Sequence, residues 1–193
     1  LTTPVDEDGV VRVTVKDAEQ SIQKKSLSID ENSYYHLLSA FCKSLRGSDS
    51  DAAVYYSQRL IKAGCDPLII ARRLIVHSAE DVGLADPFAM VMATSALTAM
   101  QNIGLPEGLI PLTEAIIYVC EAHKSNAVVV ALEEAGADVE NVRDDDIPSY
   151  LINPSYRDEK GKKESAEYKY PHLYGEWVKQ TYLPSKLAGK KYF

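Results

Sequence analysis

An all-α helical bundle followed by an irregular, tyrosine-rich arm is the fold class this sequence predicts, and three observations predict it. Apolar residues recur at helical spacing from Tyr34 onward, helix-opening and helix-closing residues follow one another at short intervals as far as Gly136, and nothing after Val15 alternates well enough to be a strand. A compact fold of 193 residues buries about 70% of its extended surface, so a core can form without disulfides. With 46% hydrophobic and 25% charged residues the chain is not disordered throughout. It also lacks the apolar run of about 18 residues that a membrane span needs.

Val10 to Val15 reads as a short strand or extended segment, and Asp17 caps a helix through about Lys25. Tyr34, Leu37, Leu38, Phe41 and Leu45 lie on one stripe of the next helix, which Gly47 is expected to stop. Ser48 to Asp51 offer N-caps for a helix reaching about Ala63, where Gly64 suits the left-handed position that ends it. Asp66-Pro67 and Asp86-Pro87 each set a capping carboxylate before a proline whose missing amide hydrogen is no loss in a first turn. The first pair predicts a helix over Leu68 to Asp81, ended near Gly83. The second predicts Phe88 to Asn102, closed by Gly104 and apolar on most sides, hence central and surrounded. Pro106 is expected to open a helix through Cys120, and Ser125 to cap one from Asn126 to about Ala135, before Gly136. The rings of Tyr150, Tyr156, Tyr168, Tyr170, Tyr174, Trp177, Tyr182 and Tyr192 can lay the remaining arm on a helical body.

Charge divides the chain. Residues 1–150 carry 12 Lys and Arg against 23 Asp and Glu, whereas residues 151–193 carry 9 against 5, so the arm has a net charge of +4 in a chain of net −7. Asp144-Asp145-Asp146 before Ile147-Pro148 reads as a solvated linker at that boundary. The domains expected are 1–30, 31–146 for the helical body, and 147–193 for the basic arm packed on it. Cys42, Cys65 and Cys120, odd in number and without a Cys-x-x-Cys pair, suit reduced thiols in a cytoplasmic protein. The start at Leu1, with neither Met nor a basic and apolar leader, suggests a piece of a longer chain without a signal peptide.

Catalytic motifs are few. No phosphate-cradling Gly-x-x-x-x-Gly-Lys-Ser/Thr and no dinucleotide Gly-x-Gly-x-x-Gly occurs. His77, Glu80 and Asp81 share a helical face and could chelate a metal, but the second histidine of His-Glu-x-x-His is missing. Ion pairing of Glu80 and Asp81 with Arg59, Arg72 or Arg73 is the expectation. Arg72 and Arg73 sit in an apolar helix, so at least one guanidinium is expected to face protein, within the chain or across a subunit boundary. Lys124-Ser125-Asn126 opens a helix and could hold an anion, and Lys190 and Lys191 could contact phosphate.

One long run, Lys43-Ser44-Leu45-Arg46-Gly47-Ser48-Asp49-Ser50-Asp51-Ala52-Ala53-Val54-Tyr55-Tyr56, is followed by Ala63-Gly64-Cys65-Asp66-Pro67-Leu68 and Ala71-Arg72-Arg73-Leu74. Ser78-Ala79-Glu80-Asp81-Val82-Gly83-Leu84-Ala85-Asp86-Pro87, Pro106-Glu107-Gly108 and Lys124-Ser125-Asn126-Ala127-Val128 come next in order. Together these blocks resemble the C-terminal region of the RarA/MgsA family of AAA+ ATPases, replication-associated recombination proteins related to Werner helicase-interacting protein. The resemblance covers about residues 10 to 193. It departs after Leu151, where the family usually continues Arg-Asn-Ala-Pro-Thr-Lys-Leu and this chain has Ile152-Asn153-Pro154-Ser155-Tyr156-Arg157.

The resemblance implies a helical bundle like the collar of clamp loaders, with residues 1–30 as the end of an AAA+ lid and 31–146 as an oligomerisation domain that makes a homotetramer. It also implies that ATP and Mg are bound upstream in the parent, with no cofactor in this fragment and no enzyme activity of its own. The parent would be a DNA-dependent ATPase in replication-fork maintenance and recombination, its partners being its own AAA+ domain, DNA and single-stranded-DNA-binding protein, with no membrane. Arg46, Asp51, Arg59, Arg72, Arg73, Glu80 and Asp81 are the expected interface or structural ion pairs. The rival readings are a DNA-binding module working through the basic arm and, last, a metal hydrolase built on His77, Glu80 and Asp81.

Overall fold

The computed structural model describes residues 31–142, 147–152, 168–175 and 177–193. The expectations for residues 1–30, for Asp144 to Asp146 and for Tyr156 fall outside them. Six α-helices and no strand occur among the described residues: α1 (Glu31–Arg46), α2 (Ser50–Lys62), α3 (Pro67–His77), α4 (Phe88–Ile103), α5 (Leu109–Glu121) and α6 (Ala127–Asn141). The chain divides into two compact units, one ending at Asn126 and the other running from Ala127 to Phe193.

In the first unit α1 packs on α2, α3 on α4, α4 on α5, and α5 also on α2. Leu37, Leu38, Phe41 and Leu45 of the α1 stripe are buried, against Leu60 of α2, Ile70 and Leu74 of α3, and Leu112, Ile116 and Val119 of α5 in one core. Burying a large apolar side chain contributes about 2–3 kcal/mol, so this cluster is what holds the bundle.

Local chemistry sets the helix ends. Asp49 Oδ1 accepts from Ala52 N at 2.9 Å and Asp66 Oδ1 from Leu68 N at 2.9 Å. At the end of α2, Gly64 has φ +92°, Cys65 N donates to Leu60 O at 3.0 Å and Gly64 N to Ile61 O at 3.0 Å, a Schellman closure. The same closure ends α1, with Asp49 N on Ser44 O at 3.0 Å and Ser48 N on Leu45 O at 3.3 Å, but Ser48, at φ +57°, takes the left-handed place. Gly47 therefore does not supply that turn, which falls one residue later on a side chain that adopts it at a cost.

Three more boundaries differ from expectation. Helix α3 stops at His77, and Ser78–Val82 form one wide π turn in which Gly83 N donates to Ser78 O. Helix α5 starts at Leu109 rather than Pro106, because residues 105–108 make a tight turn with Leu109 N on Pro106 O at 3.1 Å and Gly108 N on Gly104 O at 2.7 Å. A Cβ on Gly108 would lie 2.5 Å from Gly104 O, so the turn needs glycine for space. Helix α6 runs through Gly136 to Asn141, since one glycine costs a helix only about 1 kcal/mol.

Helix α4 is also not surrounded. Its buried stripe is Ala89, Ala93, Ala96 and Met100, while Phe88, Met90 and Val91 are about half exposed. Small residues face inward and let neighbours approach, so the large ones are left outside; counting apolar residues could not reveal that.

In the second unit the chain after α6 makes short 3₁₀ turns at Ser149–Leu151, Pro171–Tyr174 and Ser185–Leu187. Its end is fastened to α6: Lys190 Nζ lies 3.2 Å from Glu134 and 3.3 Å from Asp138, and the Tyr192 hydroxyl donates to Asp138 at 2.9 Å.

Candidate functional site

The π turn after α3 places Glu80 and Asp81 against α1. Arg46 Nε donates to Asp81 Oδ1 at 2.7 Å and Nη2 to Glu80 Oε1 at 2.7 Å. The other Asp81 oxygen meets His77 Nδ1 at 2.6 Å, and both of these side chains are buried. Burial pulls the His77 imidazole toward neutrality, but hydrogen bonds to Cys42 and Asp81 outweigh it and raise its pKa above the usual value. His77, Glu80 and Asp81 bring their ligand atoms within 4.8 Å of one another. The guanidinium already holds both carboxylates, so a cation here would have to displace a charge-assisted fork. The cluster therefore reads as a charge-compensated knot joining α1 to the end of α3.

The knot continues into Lys124-Ser125-Asn126. Ser125 N donates to Asp81 O at 2.8 Å. Lys124 Nζ reaches the carbonyls of Val119 at 3.0 Å, Cys120 at 2.7 Å and Ala122 at 2.8 Å, closing the C-terminus of α5 where the helix dipole favours a cation. An ammonium has three protons, and all three are directed at these carbonyls. Burial lowers its pKa. Asn126 is exposed.

The remaining residues singled out from the sequence are dispersed. Arg72 and Arg73 are both exposed, so neither guanidinium is buried and neither pairs with Glu80 or Asp81, whose partner is Arg46. The two arginines follow one another in α3 between the buried Ala71 and Leu74, and the helix turns both outward. Arg59 is exposed with its guanidinium 5.8 Å from the Tyr55 ring, and Asp51 is exposed in the first turn of α2. Lys190 is engaged by α6, and Lys191 is exposed.

Two surfaces stand out that residue-by-residue reading could not locate. Leu84 in the turn before α4, Phe88, Met90 and Val91 at its start, and Ile110 and Ile117 on α5, are exposed, and α4 has no charged residue along its 16 positions. In the second unit Tyr170, Tyr174, Trp177 and Phe193 are each more than half exposed, with Tyr168 and Tyr182 close behind. Gln180 organises part of this surface: its amide accepts from Lys169 N at 3.2 Å and donates to Lys169 O at 2.8 Å and to the Tyr182 hydroxyl at 2.7 Å. The ring of Tyr170 lies 5.1 Å from that of His172.

Comparison with known proteins gives a consistent set of likenesses. The family model described as "MgsA AAA+ ATPase C terminal" matches residues 47–193. Replication-associated recombination protein A of Bacillus subtilis is 42% identical over 196 residues, covering all of this chain and 46% of that protein. The protein of the same name from Escherichia coli K12 is 40% identical over 162 residues, 83% of this chain and 36% of its own length. ATPase WRNIP1 of Dictyostelium discoideum is 33% identical over 192 residues, 96% of this chain and 22% of that protein. The chain thus spans less than half the length of these relatives. A match over three quarters of its residues, together with the helical body described above, means that this chain belongs to the MgsA family of AAA+ ATPase C-terminal regions.

Proposed function

We propose that this chain is the oligomerisation module of a clamp-loader-like AAA+ ATPase, assembling four copies so that motor domains borne elsewhere on the parent act together. The observation that carries this reading is the uncharged helix α4, whose Phe88, Met90 and Val91 stand exposed, as do Ile110 and Ile117 of α5, the helix packed on it. Large apolar side chains left exposed on two packed helices suit a contact surface. A closed symmetric assembly presents the same face from every copy and raises the local concentration of whatever each copy carries. The exposed Arg72 and Arg73 suit a polar rim to that contact, whereas Glu80 and Asp81 serve inside the chain. ATP and Mg belong to the parent's ATPase domain, and replication-fork maintenance and recombination to the parent as a whole.

Solution mass by light scattering over a dilution series at two salt concentrations tests the assembly. Four copies persisting at low micromolar protein support it. Val91→Glu should dissociate the tetramer with its melting temperature kept, and Arg72→Glu should weaken it without unfolding the chain. A monomer at every concentration would overturn the role for this chain.

A second reading is favoured by the arm. From residue 168 onward it holds Lys169, Lys179, Lys186, Lys190 and Lys191 against a single acidic side chain, Glu176, and it bears the exposed rings. Cations beside stackable rings suit DNA, directly or alongside single-stranded-DNA-binding protein as the parent's partner. Each phosphate neutralised would steepen the salt dependence of binding by nearly one logarithmic unit. Salt-independent or undetectable binding of an oligonucleotide would remove this reading.

A further inference from the structure

The second unit uses its rings in two ways. Tyr150 and Tyr192 are half-buried and tie the unit together, the Tyr150 hydroxyl donating to Thr181 O and the Tyr192 hydroxyl to Asp138. The rings between them face water. Tyr168, Tyr170, Tyr174 and Tyr182 are all exposed, and Trp177, the one tryptophan of the chain, is 80% exposed. The 3₁₀ turn Pro171–Tyr174 carries exposed His172 and Tyr174, and the ring of Tyr170 just before it lies 5.1 Å from that of His172. Gln180 joins the two stretches that bear these rings, because its one amide holds the Lys169 backbone at 2.8 and 3.2 Å and the Tyr182 hydroxyl at 2.7 Å. Lys169 and Lys179 lie next to Tyr170 and Gln180 in the chain, both exposed. The cavity in this unit, lined by residues such as Ile147, Pro148 and Leu183, takes in none of these five exposed rings.

We infer that these rings are a stacking platform for single-stranded DNA, with Lys169 and Lys179 as its phosphate contacts. The inference rests on the second reading above, DNA binding by the arm, and narrows it to an unpaired strand and to named residues. An exposed flat ring offers a face to any base, and an unpaired strand has its base faces free. In a duplex the bases already stack on one another, so only the lysines would engage and binding would be weaker. Charge is complementary, since Glu176 is the single acidic residue from 168 onward against five lysines. A peptide partner would instead anchor a side chain in a pocket, and these rings do not line the cavity of their own unit. Gln180 fixes the Lys169 backbone and the Tyr182 hydroxyl before any strand arrives, which lowers the ordering cost of binding.

The test titrates the whole chain with an end-labelled thymidine oligonucleotide of about 16 nucleotides, and separately with a duplex of the same length. Anisotropy of the label reads binding, and the intrinsic fluorescence of Trp177 reads stacking, with no other tryptophan to confuse it. The single strand is expected to quench Trp177 with the same midpoint as the anisotropy and to bind more tightly than the duplex. Trp177→Ala should weaken single-strand binding about tenfold with the melting temperature unchanged. Lys179→Gln should lower the slope of binding against salt by nearly one. Salt-dependent binding with Trp177 unquenched and Trp177→Ala unchanged would overturn the platform while leaving DNA binding by the arm in place. Equal or tighter binding of the duplex would overturn it too. No binding of either oligonucleotide would remove both the platform and the reading beneath it, and quenching by an oligoglutamate peptide in their place would assign the surface to a protein partner.

Discussion

Among the described residues, every buried side chain lies between Leu37 and Cys120, and from Ala127 to Phe193 there is none. The two units also use the same kind of interaction differently. In the first, Asp81 is buried and meets Arg46 and His77 at 2.7 and 2.6 Å. In the second, Asp138 and Glu134 meet Lys190 at 3.3 and 3.2 Å, with Glu134 and Lys190 exposed and Asp138 only partly covered. A buried carboxylate that loses its partners keeps its desolvation cost, whereas an exposed one is taken up by water. The first unit should therefore unfold as one cooperative body. The second should open at lower free energy, and amide hydrogen exchange should separate the two.

The largest effect that would test this contrast is Phe41→Ala. The ring is fully buried among α1, α2, α3 and α5, and its loss is expected to cost about 4 kcal/mol in chemical denaturation. A loss under about 1 kcal/mol would mean that the bundle is not held by this core.

Asp81→Ala comes next, at about 2–3 kcal/mol, less than for a fully buried pair because half of the Arg46 side chain is in water. The pH dependence of the same knot has a definite sign. His77 has its pKa raised above 6.5 in the folded chain, so its contribution is complete below about pH 6.5 and fades as pH rises through the folded value. The stability difference between wild type and His77→Gln should accordingly shrink from pH 6 to pH 9. A difference that grew instead would mean that the imidazole is held neutral.

Ser48→Gly is expected to stabilise the first unit by about 1 kcal/mol, because glycine relieves the φ of +57° that serine bears at the end of α1. Smallest of all is Lys190→Ala. It should leave the melting of the first unit unchanged and speed exchange only at the end of α6, an effect that vanishes at high salt. A first unit that lost stability in this variant would show that the two units fold as one.

Much of the helical body was legible because its signals are local. Asp49 and Asp66 cap their helices as the spacing implies, Asp86 Oδ1 accepts from Phe88 N at 3.1 Å, and Gly64 ends α2 in the left-handed conformation. The site was less legible. Spacing along the chain points to Arg59, Arg72 and Arg73 as partners of Glu80 and Asp81, within reach of a helix or its neighbour, yet the partner is Arg46, 35 residues before Asp81. Lys124 looked free for phosphate because nothing in Lys124-Ser125-Asn126 tells that the end of α5 folds back within reach of its ammonium.

What the sequence determined by itself is the all-helical class, the place of most helix ends, and the family, since capping and apolar periodicity act over three or four residues and motif order survives without coordinates. Which face of α4 is left outside and which arginine closes on Asp81 were decided only in the tertiary structure. Those outcomes depend on how closely α1, α3, α4 and α5 approach, and the approach is set by the alanine stripe of α4 and the volume of the shared core.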